Sequence, residues 1–236
     1  MKSKLLGASL ILAGTLMMSS NPGGAHATGN LRPQAVSTTY GTLDLLLDIY
    51  SGSNSSYPTF GPVLNGKMLF RATTATSGSE LWITDGTANG TTMLKEIRAG
   101  SNGSNPNSMT MFEGKVYFMA DNGINGYELW VTDGTANNTV MLKDIYQGSA
   151  GSYPSYLYVI GNTAYFYASD AAAGNEPWKT DGTLSGTTRI ADVRIGVNSS
   201  FNSCFGSSCN LFFSYGASVV FAADDGINGV EPYITD

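Results

Sequence analysis

The chain has 236 residues, with 12 Lys and Arg against 18 Asp and Glu, which gives a net charge of −6 at pH 7. An acidic chain of this kind is poorly suited to nucleic acid or an anionic membrane surface as partner. Its single histidine, His26, lies in a segment that we expect to be removed, so Ser-His-Asp and Cys-His catalysis and the commonest zinc and copper sites are excluded.

Residues 1–27 have the organisation of a secretory signal peptide. Lys2 and Lys4 form a positively charged start, residues 5–18 are apolar, and the Ala-His-Ala sequence at 25–27 is a small-x-small cleavage site. The alternative is a retained membrane anchor, for which the apolar stretch is short. We expect cleavage near Ala27, a secreted or cell-surface protein, and a linker at 28–36. Cleavage leaves ten basic and 18 acidic residues, a charge of −8.

One motif recurs through the remaining residues, 37–236, which we interpret as a single domain. Its full form is Glu-Leu-Trp-x-Thr-Asp-Gly-Thr, and its copies start at Glu80, Glu128, Glu176 and Glu231 with spacings of 48, 48 and 55 residues. Self-similarity at this period is typical of propellers, solenoids and repeat arrays.

The unit that begins at Pro106 shows which of these is favoured. Short strands are predicted at 109–112, 115–120, 128–132 and 139–145, and Asp133-Gly134 is a strong hairpin signal. The chain after the signal peptide has no helical period of 3.6. Four short strands in about 48 residues fit a propeller blade.

The predicted fold is therefore all-β, a four-bladed β-propeller closed by the N-terminal strand pairing into the last blade. That strand is predicted at 41–49, where Asp48 precedes Glu80 by 32 residues, as Glu96 precedes Glu128. Closure within one chain would hide the sheet edges and give a monomer. An open array, or half of a larger ring made by two chains, remains the alternative.

The copies resemble the ELWxxDGT repeat of secreted and surface proteins of bacteria. The sequences ELWITDGTANGT at 80–91 and ELWVTDGTANNT at 128–139 carry the resemblance, whereas the later copies depart from it at Pro177, Pro232 and Tyr233. The resemblance implies a propeller-like repeat protein and implies no particular activity.

Two cysteines, Cys204 and Cys209, lie near the seven extra residues of the last spacing. In an exported chain they are expected to form a local disulfide bond that closes an inserted loop, rather than a redox or metal site.

Two glycine-bent loops are rich in oxygen ligands of the kind that calcium prefers. They supply candidate calcium ligands at Asp121, Asn125, Glu128, Asp224, Asp225, Asn228 and Glu231. Tight hairpin turns explain the same Gly and Asn residues equally well.

The most conspicuous repeated residues are interpreted as structural. The aromatic residues Trp82, Trp130, Trp178 and Tyr233 are expected to pack in the core. The aspartates Asp85, Asp133 and Asp181 are expected to bond the turn backbone while the next glycine takes a positive φ.

No GxSxG, P-loop or HExxH pattern occurs in the sequence. The sequence therefore predicts a non-catalytic binding or scaffold module for an extracellular glycan or protein, and not an enzyme. One alternative is a calcium-stabilised structural domain. The other is a hydrolase with two carboxylates in one asymmetric pocket, away from the repeated positions. Any local site is expected where the copies differ, around 197–210 and at the unequal acidic loops.

Overall fold

The computed structural model describes residues 44–201 and 211–236, and within them it contains four antiparallel β-sheets and no helix. The predicted signal peptide, the linker and both cysteines lie outside these residues. No segment of the described chain forms a helix of the length and apolarity needed to cross a membrane.

The strands follow one another in chain order within each sheet. Sheet 1 contains β1 (Thr59–Leu64), β2 (Lys67–Thr74), β3 (Gly78–Thr84) and β4 (Thr92–Lys95). Sheet 2 contains β5 (Asn107–Phe112), β6 (Lys115–Asp121), β7 (Tyr127–Thr132) and β8 (Val140–Lys143). Sheet 3 contains β9 (Ser155–Ile160), β10 (Thr163–Asp170), β11 (Gly174–Thr180) and β12 (Thr188–Arg189). Sheet 4 contains β13 (Phe212–Tyr215), β14 (Ser218–Asp224) and β15 (Val230–Thr235).

The core lies between successive sheets rather than in one central layer. Leu69 and Leu81 of sheet 1 pack with Phe118 and Trp130 of sheet 2. Sheets 2 and 3 meet in the same way, as do sheets 3 and 4. The first strands β1, β5, β9 and β13 contact each other in chain order. Successive sheets therefore pack face to face, as the repeat predicts.

The tryptophans have the predicted core role. Trp82, Trp130 and Trp178 are only 8, 7 and 6% exposed. Each lies beside the phenylalanine of the neighbouring strand, with ring centroids 6.2 to 6.5 Å apart. Core packing is confirmed for these three residues, since their faces are not available to a ligand.

The Asp-Gly-Thr turns are also structural. In the second copy, Asp133 Oδ1 accepts hydrogen bonds from the N–H and the hydroxyl of Thr135, at 2.9 and 2.7 Å. Gly134 has a φ of 90°, which glycine adopts without strain. Beneath the turn, the buried hydroxyls of Thr132 and Thr139 lie 2.7 Å apart. The first and third copies repeat these bonds, so the turn-making prediction is confirmed.

Ring closure by the N-terminal strand is not confirmed. Sheet 4 has three strands, and within the described residues nothing pairs with the free edge of β15. Residues 44–49 are not assigned to a strand; Leu47 and Ile49 pack against Phe70 and Trp82 of sheet 1, as Leu94 and Ile97 pack against Phe118 and Trp130 of sheet 2. The coarse prediction of an all-β repeat fold is correct, and its four-bladed closed form is the part that the structure does not show.

Candidate functional site

Every sheet has two distinct ends, because its strands run antiparallel in chain order. One end, which we call the turn end, carries the Asp-Gly-Thr turns that follow β3, β7 and β11. The other end, the loop face, carries the β2–β3, β6–β7, β10–β11 and β14–β15 hairpins and the long connections to the next sheet. The predicted calcium ligands all lie at the loop face.

The repeated glutamate of the motif anchors these long connections. Glu128 is fully buried, and its Oε1 accepts the N–H groups of Tyr146 and Ser152 at 3.1 and 2.9 Å. Its Oε2 accepts the N–H of Ile145 at 2.9 Å and the Ser152 hydroxyl at 2.5 Å. We call this arrangement the glutamate clip.

Glu80 and Glu176 form equivalent clips in sheets 1 and 3. Burial raises the pKa of all three carboxyls, although the hydrogen bonds that they accept oppose the shift. The clip occupies the oxygens of each carboxylate, which leaves these glutamates a structural role.

The first predicted calcium loop uses its oxygens within the protein. Asp121 Oδ1 accepts the N–H of Gly123 at 2.6 Å, and its Oδ2 pairs with the Arg98 guanidinium. Asn125 donates from Nδ2 to Asp144 Oδ2 at 2.7 Å. Glu128 belongs to the clip. The structure therefore directs these three predicted ligands to different partners.

The second predicted loop is arranged similarly. Asp224 Oδ2 pairs with Arg194 at 3.2 Å. Asp225 Oδ1 accepts the N–H groups of Ile227 and Asn228 at 2.8 Å, and these bonds lower the pKa of Asp225 to about 2. Glu231 is exposed. Within 44–201 and 211–236, no three His, Cys, Asp or Glu side chains are arranged as a metal site.

The junction between sheets 2 and 3 lacks the Arg–Asp ion pair that the other two junctions between successive sheets have at this position. Arg98 reaches Asp121 across the junction of sheets 1 and 2, and Arg194 reaches Asp224 across that of sheets 3 and 4. At the junction of sheets 2 and 3 the equivalent positions hold Tyr146 and Ser169, which cannot form this ion pair. This junction is where an asymmetric site can form.

An open groove lies at the loop face beside this junction, with a volume of about 490 Å³. We call it the junction groove. It is lined by Ser108, Met119, Tyr153, Pro154, Ser155, Tyr156, Asn175 and Phe201. The corresponding positions differ between copies; for example, Tyr156 is replaced by Ser108 in sheet 2 and by Phe60 in sheet 1.

Aromatic side chains form much of the groove wall. Tyr153 and Tyr156 are 54 and 43% exposed, and both have left-handed backbones, with φ of 50° and 58°. Tyr156 meets Phe201 edge-on with centroids 5.6 Å apart. Asn175 donates from Nδ2 to the Phe201 carbonyl at 2.8 Å. The left-handed backbone is a feature of the repeat, because Tyr57 and Asn105, the copies of Tyr153, have φ of 46° and 49°.

Two carboxylates belong to the sheets that meet at this junction, although neither is among the residues that line the groove. Asp170, at the end of β10, pairs with Arg189 at 2.6 Å. Asp144 follows β8; its Oδ2 accepts from Asn125, and its Oδ1 is buried with no hydrogen-bond partner among the described residues. The connection that Asp144 begins reaches β10, because the Ser152 carbonyl accepts the Ser169 N–H at 2.8 Å.

Sequence reasoning did not select Asp144, Asp170 or the tyrosines. The available signal was the loss of the Arg–Asp pair at Tyr146 and Ser169. The expected site around 197–210 contributes Phe201 to the groove, while residues 202–210 lie outside the described chain.

No family model and no curated protein matches the chain. Among solved structures, puromycin hydrolase aligns with a TM-score of 0.45 and 14% identity over 76% of this chain, which spans only 26% of that protein. An α-L-arabinofuranosidase from Clostridium thermocellum aligns with a TM-score of 0.33 and 15% identity over 75% of this chain and 66% of that one. An endo-1,4-β-xylanase from Bacteroides thetaiotaomicron aligns with a TM-score of 0.35 and 14% identity over 81% of this chain and 75% of that one.

These proteins are hydrolases, and on this finding the two predictions of a non-catalytic module and of no enzymatic activity are corrected. The predictions relied on the missing histidine and the missing nucleophile motifs, but hydrolysis by two carboxylates requires neither. At these identities and TM-scores the likeness assigns no activity and no substrate to this chain.

Proposed function

We propose that the chain is a carboxylate-dependent hydrolase of carbohydrates, whose substrate lies in the junction groove. The observation that carries the proposal is the break in the repeat at the junction of sheets 2 and 3. A scaffold of near-identical copies offers equivalent surfaces, whereas a reaction needs one asymmetric site, and the groove supplies it.

The chemistry of the groove wall suits a sugar. Tyr153 and Tyr156 offer partly exposed rings for the apolar faces of a pyranose or furanose, and Asn175, Ser108 and Ser155 offer polar groups to its hydroxyls. Rings held by a fixed backbone lose little entropy when a ligand binds.

Asp144 and Asp170 are the candidate reacting carboxylates. Glycoside hydrolysis uses one carboxyl group as acid and another as base or nucleophile, on opposite sides of the scissile bond. Asp144 and Asp170 come from the two sheets that meet at this junction. Each has counterparts in other copies, Asp192 for Asp144 and Asp225 for Asp170, so the surroundings of the junction distinguish them rather than their positions in the repeat. The contact between Arg189 and Asp170 holds that carboxylate in place.

The test is hydrolysis of soluble xylan, arabinan and galactan by the purified chain, measured as released reducing sugar. Asp144→Asn and Asp170→Asn should each lower kcat by about 100-fold or more, since a positioned acid or base contributes on that order. Tyr156→Ala should mainly raise KM. Hydrolysis of none of a broad polysaccharide panel, or full activity in both aspartate variants, would exclude this function.

Asp192→Asn is the matched control, because Asp192 is the copy of Asp144 at the next junction and shares its buried Oδ1 without a partner. It carries the same chemical change in a nearly identical setting away from the groove. We expect its kcat to equal that of the unaltered chain, which separates a reacting role of Asp144 from a structural one.

We also infer that the four sheets are blades of a β-propeller. The ordered contacts of the first strands and the equal face-to-face packing of successive sheets support this architecture. In a propeller the loop face surrounds one mouth of the central channel, a common place for a substrate.

A further inference from the structure

Among the described residues, the walls of the junction groove contain no charged side chain. They consist of serine, methionine, tyrosine, proline, asparagine and phenylalanine. Asp170 and Arg189 belong to sheet 3 of the same junction, but they pair with each other at 2.6 Å and neither lines the groove. A carboxylate or sulfate that leaves water needs an opposite charge or charge-assisted hydrogen bonds in return. The described wall offers a charged ligand no such partner.

One position of the wall is occupied by a cation in another copy of the repeat. Met119 lines the groove, and its counterpart one repeat earlier, in sheet 1, is Arg71. Arg71 donates from Nη2 to Thr59 Oγ1 at 3.0 Å, so the strand accommodates an arginine at this place. The groove therefore carries an apolar side chain where the same fold can hold a positive charge.

Exposed tyrosine rings on this wall pack against other rings. Tyr153 is 54% exposed and lies 5.3 Å from Tyr127 between ring centroids. Tyr156 is 43% exposed and lies 5.6 Å from Phe201 in the same measure. Because each ring already has a packing partner, less side-chain freedom is lost when a ligand binds. Residues three apart have Cα atoms at most about 11 Å apart, so the two rings can contact neighbouring units of one sugar chain.

The polar groups of the described wall are uncharged. Asn175 Nδ2 donates to the Phe201 carbonyl at 2.8 Å, which fixes the amide, and no described residue donates to its Oδ1. Ser108 and Ser155 also line the groove. An amide oxygen and hydroxyl groups can exchange hydrogen bonds with the hydroxyls of a sugar, which both donate and accept. The wall thus combines flat apolar rings with neutral hydrogen-bonding groups, the pattern that suits an uncharged sugar.

The charge of the whole chain acts in the same direction. Its 18 acidic residues outnumber its 12 basic ones, which gives a net charge of −6. A glycan with many carboxylate or sulfate groups is therefore repelled within a Debye length of about 8 Å at physiological ionic strength. A neutral glycan approaches without this repulsion.

We propose that the junction groove binds uncharged glycans and excludes those that carry uronic acid or sulfate groups. The proposal names the substrate class of the groove, and it therefore rests on the proposed function. Sugar C–H groups lie on the rings of Tyr153 and Tyr156, sugar hydroxyls bind Asn175, and Met119 keeps the remaining wall free of charge. Met119 is thus the residue that determines the charge preference.

The experiment compares two derivatives of the same polysaccharide that differ in charge and have similar bulk. Xylan, arabinan and galactan are each lightly substituted with hydroxyethyl or with carboxymethyl groups, and their binding to the purified chain is measured by isothermal titration calorimetry. The hydroxyethyl form of a bound polysaccharide should keep its affinity, and the carboxymethyl form should bind at least about tenfold more weakly. The difference should persist in 1 M NaCl, where a Debye length of about 3 Å screens the net charge of the chain.

Met119→Arg should remove the preference, because the new guanidinium pairs with the carboxylate. We expect the carboxymethyl form to bind about tenfold more tightly to this variant than to the unaltered chain. Met119→Gln is the matched control; its side chain has a similar length but no charge, and the preference for the neutral form should remain. Ser108→Tyr introduces the residue that sheet 3 has at this position, and it should fill the groove and weaken binding of every form.

Equal affinity for the two forms in 1 M NaCl would overturn the proposal, as would a preference unchanged by Met119→Arg or no binding of any polysaccharide. Released reducing sugar is measured on the same samples. A chain that prefers the neutral form and releases no sugar would contradict the proposed hydrolase activity while supporting the charge preference of the groove. The two proposals therefore fail on different readouts.

Discussion

The turn end and the loop face are built from the same repeat, but they differ in how much their residues vary between copies. At the turn end, three Asp-Gly-Thr copies form the same bonds almost to the tenth of an ångström. At the loop face the clip glutamate is constant, while the groups around it change from Arg–Asp pairs to Tyr146 and Ser169. The clip holds the connections in place, so the residues beside it can vary without loss of the fold. Function is therefore more easily accommodated at the loop face.

The largest expected effect comes from breaking a clip. Glu128→Ala leaves the N–H groups of Ile145 and Tyr146 without an acceptor and the Ser152 N–H and hydroxyl with only the Tyr127 carbonyl, and we expect a loss of about 3–4 kcal/mol in the free energy of unfolding. Denaturant titration followed by tryptophan fluorescence measures it. Glu231→Ala makes the same substitution at the exposed copy, and it should cost less than about 0.5 kcal/mol. Equal losses in the two variants would show that the clip does not stabilise the sheets.

A smaller effect is expected at the turn end. Thr132→Val removes the hydroxyl that contacts Thr139 and accepts the Gly134 N–H at 3.0 Å. The loss should be about 1–2 kcal/mol, since the Gly134 N–H loses its acceptor while the Thr139 hydroxyl keeps the Thr135 carbonyl. Thr84→Val and Thr180→Val should cost the same within about 0.5 kcal/mol. A wide spread among these three would contradict the view that the turn end is uniform.

The repeat explains why so much of the fold could be predicted. Strands predicted at 109–112, 115–120 and 128–132 agree with β5, β6 and β7 within two residues, because alternating apolar residues and the Asp-Gly turn specify them locally. The buried tryptophans follow from the same pattern. Closure could not be derived, because the contact of residues 44–49 with Phe70 is long-range and the sequence does not specify which edge they join.

The candidate site was harder to derive because it is marked by the loss of the Arg–Asp pair at Tyr146 and Ser169, and not by a motif. Asp121 and Glu128 were chosen for their oxygens, but the clip and Arg98 use those oxygens within the protein. Asp144 and Asp170 belong to different sheets, and the connection that follows β8 reaches β10 through the Ser169 N–H and the Ser152 carbonyl. A motif search detects what recurs, whereas the groove forms where the recurrence fails.

The clip should also give the protein a characteristic pH dependence. Burial raises the folded-state pKa of Glu80, Glu128 and Glu176 above the ordinary 4.5. The folded state then holds more protons than the unfolded state, so these groups make the free energy of unfolding decrease as pH rises from about 4.5 through the raised values. The turn aspartates have lowered pKa values, so their contribution is lost only as pH falls below their ordinary 3.8 or so.

Denaturant titrations between pH 4.5 and 7 test this dependence. Glu128→Gln should flatten the decrease by removing one of three titrating groups, in addition to lowering stability overall. Glu231→Gln, at the exposed copy, should leave the slope unchanged. A slope that is the same in both variants would mean that the clip carboxyl titrates normally.

The smallest expected effect is that of a chelator. A calcium ion bound at 100 times its dissociation constant would add about 2.7 kcal/mol of stability, and its removal would lower Tm by several degrees. The loops predicted to bind calcium already direct Asp121 to Arg98, Asn125 to Asp144 and Asp225 to its own turn. We therefore expect EDTA to change Tm by less than about 1 °C, because a cation would have to displace these bonds before gaining its own ligands. A fall of several degrees that added calcium reverses would show that the loop face reorganises around a metal. The loop face would then be held in place by that ion as well as by the glutamate clips.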